Sequence, residues 1–180
     1  MAAIRHLVPT EASEYRALML EAYERHPDAF TSSVSERAAL PLSWWESRLA
    51  SGDEPSEVVF GAFQNAELAG VAGLSFESRQ KIRHKATLFG MYVPSRFRGL
   101  RLGRQLVVAA LDCARARASI KVVQLTVTEG NASAQALYRG CGFVEFGVEP
   151  FAVAVASGYV SKVHMWCSVD PDVGRVRPGS

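Results

Sequence analysis

The sequence predicts an α/β fold, a mixed sheet with helices on both faces, and three observations carry that expectation. Val58 to Gln64 and Leu68 to Phe76 are strand-like segments joined by the short Asn65-Ala66-Glu67 link, which reads as a hairpin. Later in the chain, strand and helix patterns alternate. Between the apolar runs Leu88 to Val93 and Val122 to Val127 lies a long amphipathic segment. A crossover of that kind makes the two runs parallel neighbours.

In chain order, Ile4 to Val8 alternate apolar and polar residues as a first strand, ended by Pro9. Thr10 is the expected N-cap of a helix with Tyr15, Leu18, Met19 and Ala22 on one face, ending near His26 before Pro27. His26 to Ser33 is a loop, and Ser33-Val-Ser-Glu36 has the pattern of a capping box that opens a second helix. Pro41 interrupts it, and Ser43 restarts a turn carrying Trp44, Trp45 and Leu49. Glu77 to Lys85 is a polar, basic connection into the Leu88–Val93 strand, which Pro94 stops because proline donates nothing to a ladder. Leu102, Leu106, Ala110 and Cys113 recur at helical spacing, with Val107, Leu111 and Ala114 widening the apolar face. Asn131 to Arg139 forms a short helix with Ala134, Leu137 and Tyr138 inward and Gly140 and Gly142 about its end. Phe143 to Phe146 and Tyr159 to Cys167 are the last strands. Residues 1–169 are expected to form one domain, and 170–180, with two prolines and two glycines, a disordered tail.

Composition narrows the function classes. With 48% hydrophobic and 21% charged residues over 180 positions, the chain has the balance of a globular protein. No apolar run has membrane-spanning length and the N-terminus is not a signal peptide, so a cytoplasmic protein without a membrane partner is expected. Three scattered cysteines, Cys113, Cys141 and Cys167, form neither a disulfide framework nor a metal site and read as small buried apolar residues.

Charge is distributed unevenly. From Arg79 to Lys121 there are eleven Lys or Arg and one acid, Asp112; the remainder is net acidic, since the chain holds 20 basic and 18 acidic residues. Within that stretch the order is strand, basic loop with Gly99 and Gly103, then helix. This arrangement points free amide groups and the positive end of a helix dipole into the loop, an anion site. Nucleic acid is not the expected partner. The patch lacks the aromatic interleaving that single-strand binders use.

These residues resemble the GNAT superfamily of N-acetyltransferases. Its signature, Arg/Gln-x-x-Gly-x-Gly/Ala, stands here as Arg98-Gly-Leu-Arg-Leu-Gly103, with Arg101 in place of the middle glycine. A second family motif stands as Asn131-Ala-Ser-Ala-Gln-Ala-Leu-Tyr138-Arg-Gly-Cys-Gly-Phe143. The resemblance runs from about Ile4 to Trp166. It implies a mostly antiparallel central sheet with a splayed parallel strand pair that binds acetyl-CoA. It also implies a diphosphate held by the Arg98, Gly99, Leu100, Arg101, Leu102, Gly103 and Arg104 loop, and a pantetheine arm pairing with the backbone of Met91 and Val93. Arg101 is expected at ordinary helical or turn angles, directed to solvent or to a phosphate.

Gly90 inside an apolar strand suggests a bulge, or simply relieves packing; a bulge would free an amide near Met91 or Tyr92 for a developing oxyanion. Asn131 caps its helix, hydrogen-bonds the arm, or does both. Tyr138 looks like the family's general acid. A phenol of pKa near ~10 stays protonated at neutral pH and can donate to a thiolate whose conjugate pKa is near ~8.5.

Where many relatives place a glutamate on the central strand this chain has Thr87, so the base is left among Glu77, Glu129, His84 and water. The acceptor is an amine of a small molecule or protein, in a pocket shaped by His26 to Ser33 and Val148 to Gly158, with Phe30, Trp44 and Phe151 as candidate walls. A homodimer is common among relatives. The competing reading on the same fold is a non-catalytic acetyl-CoA-binding or sensing module, motivated by Thr87 and Arg101.

Overall fold

The computed structural model describes residues 2–170 and Asp172; the other C-terminal residues of the expected tail lie outside the described residues. Seven strands form one sheet in the order β1-β2-β3-β4-β5-β7-β6: β1 Ala3–His6, β2 Glu57–Gln64, β3 Glu67–Phe76, β4 Lys85–Tyr92, β5 Val122–Thr128, β6 Val144–Val155 and β7 Gly158–Ser168. Every neighbouring pair is antiparallel except β4 and β5. The hairpin between β2 and β3 turns on Asn65 and Ala66, with φ of 49° and 65°. Two consecutive left-handed residues make the type of turn whose twist matches the flanking strands.

Alternation along the strands sorts side chains into two cores. Val58, Phe60, Leu74, Ala86, Leu88, Val123, Leu125, Val127, Val163 and Met165 meet α4 (Leu102–Ala116) through Leu102, Leu106, Val107, Ala110, Leu111 and Ala114. On the other face Val59, Leu68, Val71 and Tyr92 meet α1 (Ala12–Arg25) and α3 (Leu42–Arg48) through Tyr15, Leu18, Met19 and Trp45. Trp45 is fully enclosed, edge-on to Tyr15 at 5.5 Å between ring centroids.

Several expectations are corrected. Thr10 does not cap α1. A 3-10 turn, Pro9–Glu11, precedes the helix, and the Glu11 carboxylate accepts from the Val8 amide at 2.9 Å instead. Ser33 does cap α2 (Val34–Ala38), receiving the Glu36 amide while the Glu36 carboxylate accepts from Ser33 N. The central strand begins at Lys85, and α3 begins at Leu42 with Pro41 as its N-cap. The strand expected over Phe143 to Phe146 is longer: β6 runs on to Val155, so Val148 to Gly158 belongs to a hairpin with β7. Of the cysteines only Cys167 is buried; Cys113 and Cys141 are half-buried. Among the described residues no helix is long and apolar enough to cross a membrane.

Burial pushes the Tyr15 phenol up to about 12. Between pH ~10 and that value the unfolded chain has lost the proton that the folded chain keeps, so stability falls as pH rises. Denaturant unfolding followed from pH 9 to 12 should therefore show a steeper alkaline loss for the wild type than for Tyr15→Phe.

Candidate active site

The site begins where β4 and β5 part. Their pairing covers only Lys85 with Val122, Ala86 with Val123 and Thr87 with Gln124. On the other side of β4, Val71 faces Tyr92 and Gly73 faces Phe89, so two steps along β3 oppose three along β4. The extra residue is a bulge at Gly90, whose φ of +58° is left-handed. A Cβ there would meet only Met19 Cε, at 3.7 Å, so the backbone angle, not space, favours glycine. Beyond the bulge the strands diverge around a cavity of about 250 Å³ lined by Thr87, Gly90, Met91, Thr126, Tyr138 and Lys162, among others.

This cavity adjoins a larger cleft of about 630 Å³ at the start of α4. Of the residues predicted to hold the cofactor, Met91, Tyr92, Val93, Arg98, Gly99, Arg101, Leu102, Gly103, Arg104 and Asn131 line that cleft; Leu100 alone does not. Arg101 is the N-cap of α4 and has no side-chain cap bond. Amides of the first helical turn lack intrahelical partners, and the residues that carry them, Arg101 to Arg104, line the cleft. Gly103 is packed closely: a Cβ there would lie 3.1 Å from Met91 Cε and 3.2 Å from Leu137 Cδ2. Helix α4, the bulge and α5 (Ala132–Gly140) meet at that point.

The loop's guanidinium groups divide by partner. Arg96 is paired with Glu21 at 3.2 Å and Glu67 at 3.4 Å, while Arg104 donates to the Gly140 carbonyl at 2.9 Å. Among the described residues Arg98 and Arg101 have no ion pair, which leaves their charge at the cleft uncompensated. Arg101 does not take the ordinary angles expected of it. Its φ is +58°, the left-handed region that a glycine at this position would occupy at no steric cost.

Tyr138 reaches the gap from the α4 side of the sheet. Its ring packs against Phe143, and its hydroxyl lies 3.7 Å from the Met91 sulfur, beside the bulge. Burial pushes the phenol up to about 12, so it stays protonated. Asn131 caps α5, accepting from the Ala134 amide at 3.3 Å. Over the other face of the gap, the Thr128 hydroxyl donates to the Asp28 carbonyl at 2.8 Å and fastens a 3-10 turn, Pro27–Ala29, to the end of β5. Ala29, Phe30 and Thr31 thereby roof the cavity.

Phe30 is thus at the site, whereas the other proposed walls are not. Trp44 packs on Trp45 and lines a separate depression bordered by Arg37 and Glu57. Phe151 is 77% exposed on the last hairpin, against Tyr159. None of Glu77, His84 and Glu129 lines the cavity. Glu77 and His84 lie at the N-terminal end of β4, where Glu77 pairs with Arg79. Sequence reasoning missed Lys162, which is 7% exposed and lines the gap. The available signal was its in-phase place with His164 and Trp166 in an alternating strand.

Residues 17–143 match the family model described as the Acetyltransferase (GNAT) family. Among solved structures, an acetyltransferase of the GNAT family from Streptococcus pneumoniae superposes with a TM-score of 0.84 at 25% identity, covering 94% of this chain and 100% of that one. A ribosomal-protein-alanine N-acetyltransferase from Brucella melitensis has a TM-score of 0.75 at 24% identity, covering 92% of this chain and 99% of that one. A putative acetyltransferase from Salmonella typhimurium, solved with its cofactor acetyl-CoA, has a TM-score of 0.77 at 20% identity, covering 100% of this chain and 99% of that one. No curated protein matches the sequence.

Because Arg101 is left-handed, Arg101→Gly should be neutral or stabilising by up to about 1 kcal/mol, and Arg101→Val destabilising by more than about 1 kcal/mol. Denaturant unfolding of the two variants checks both signs.

Proposed function

The chain belongs to the GNAT acetyltransferase family, and on that premise we propose that it is an N-acetyltransferase acting on a primary amine. The observation that carries the reading is the protonated Tyr138 phenol set in a strand gap beside an uncapped helix start that suits an anion. The family's cofactor is acetyl-CoA, and the residues present fit it. The uncapped start of α4, with Arg98 and Arg101 uncompensated, suits a diphosphate. The diverging edges of β4 and β5 suit an extended arm, with Met91 and Val93 offering backbone groups to it. Asn131, at the mouth of the same cleft, is the remaining polar contact.

When bound, acetyl-CoA supplies the acetyl group as a thioester. The chain does the rest. An amide freed by the bulge, near Met91 or Tyr92, is the group we assign to the negative charge that develops on the acyl oxygen. Tyr138 holds the proton that the departing sulfur requires. The roof formed by Ala29, Phe30 and Thr31 narrows the entry for the amine.

Four amine classes suit the pocket: an amino acid derivative, a polyamine, an aminoglycoside-like amine and a protein N-terminus. A screen of those classes with acetyl-CoA and free-thiol detection tests the reading. Turnover with at least one class is expected; acetyl-CoA binding without turnover on any of them would favour a sensing module. Tyr138→Phe should lower kcat by roughly 10²–10⁴ with acetyl-CoA affinity little changed. Gly103→Glu places an acid at the phosphate position and a side chain against Met91 and Leu137, so calorimetry should show no binding of acetyl-CoA.

A further inference from the structure

Lys162 stands out among the lining groups of the strand gap. It is on β7 opposite Thr128 of β5, one residue out of phase with Val163, which packs into the α4 core opposite Val127. Its side chain therefore enters the gap from the face opposite α4, whereas Tyr138 enters from the α4 face. At 7% exposure it is nine-tenths buried, and among the described residues it makes no hydrogen bond or ion pair. Its Nζ opens into the gap without a protein partner, and the low exposure of the rest of the side chain disfavours the charge, so the position suits either a bound anion or loss of the proton.

The groups around Lys162 decide between those outcomes. From β6, Glu149 is its cross-strand partner, but the Glu149 carboxylate is bonded at 2.8 Å to His164 Nε2, two residues along β7. From β5 comes the neutral Thr128, whose hydroxyl is committed to the Asp28 carbonyl of the overlying 3-10 turn; Asp28 and Glu129 are the acids on those adjoining segments. From α5 comes Tyr138. Burial pushes the Lys162 ammonium below its ordinary range, and Glu149 offsets part of that shift. Among the described residues Tyr138 and Lys162 are the only titratable side chains lining the gap, one held protonated and the other urged toward its neutral form. Two titratable groups set to opposite tasks by their surroundings are the pattern of an acid and a base.

We propose that Lys162 is the proton acceptor for the amine, working across the strand gap from Tyr138, in the place that the cavity's Thr87 cannot fill. The inference rests on the acetyltransferase reading of this gap. Lys162 Nζ takes one proton from the acceptor nitrogen as that nitrogen bonds to the acetyl carbon. Tyr138 gives its proton to the sulfur, which leaves with the electron pair of the broken carbon–sulfur bond. Proton return from the Lys162 ammonium to the Tyr138 phenolate through solvent then restores both groups.

The first test needs no acceptor. Wild-type protein is acetylated with trace acetic anhydride at graded pH, and labelling at each lysine is read by mass spectrometry, with exposed Lys81 and Lys121 as internal standards. A Lys162 midpoint at least about one pH unit below theirs is expected. A midpoint equal to theirs, or no labelling until the chain unfolds, would overturn the proposal, because a lysine out of reach of the reagent is also out of reach of an amine. The second test uses the best acceptor of the four-class screen with Lys162→Arg and Lys162→Met. Both should lose roughly 100-fold or more in kcat while calorimetry shows acetyl-CoA binding intact. Activity retained in Lys162→Arg, or a raised KM with unchanged kcat in Lys162→Met, would make Lys162 a charge contact for the acceptor and overturn its role as base. If the wild type neither binds acetyl-CoA nor turns over, the acetyltransferase reading fails, and the labelling result is judged separately from it.

Discussion

Divergence of two parallel strands governs this molecule. After Thr87 and Gln124, β4 and β5 no longer pair; three residues on, the extra residue at Gly90 bends β4, while β5 remains laddered to β7 on its other side. The facing edges are left with backbone donors and acceptors that must be met by water or by an extended ligand. The same bend brings Met91 against Gly103 at the head of α4 and under the hydroxyl of Tyr138. One local irregularity thus connects the phosphate end of the cleft to its chemical end.

Charge reinforces that geometry. The basic stretch is not a uniform field, because Arg96 is tied to Glu21 and Glu67 and so braces the loop against α1 and β3. Tyr92 joins the same cluster by donating to Glu21 at 3.0 Å. With Arg104 fixed to the end of α5, the cations left without partners at the cleft among the described residues are Arg98 and Arg101, next to the dipole end of a 15-residue helix. The strained conformation of Arg101 is consistent with a site that keeps a guanidinium where a glycine would be easier.

Much of this could be read from the residues themselves. Asn65 and Ala66 between two strand patterns, Ser33 three residues ahead of Glu36, and Gly90 within an apolar run each act through local backbone chemistry, and each appears in the fold as read. The loop from Arg98 to Gly103 and the helix from Asn131 to Tyr138 were legible as motifs, and they converge on one cleft. Other features depend on tertiary context. Pro150 argues against a strand, yet β6 is an edge strand with irregular pairing between Glu149 and Val153, where a missing donor is tolerated. Lys162 looks like a surface charge in an alternating strand, and only the packed structure shows it lining the cavity that Ala29, Phe30 and Thr31 roof. The handedness of Arg101 has no signature in a side chain that ordinarily avoids such angles.

The most direct measurement is a crystal structure of the protein with coenzyme A. The account predicts the diphosphate within hydrogen-bonding distance, about 2.7–3.2 Å, of backbone amides between Arg98 and Arg104, and the sulfur between β4 and β5 near Tyr138. Coenzyme A ordered elsewhere on the molecule, with the strand gap closed by direct pairing of β4 to β5, would contradict it.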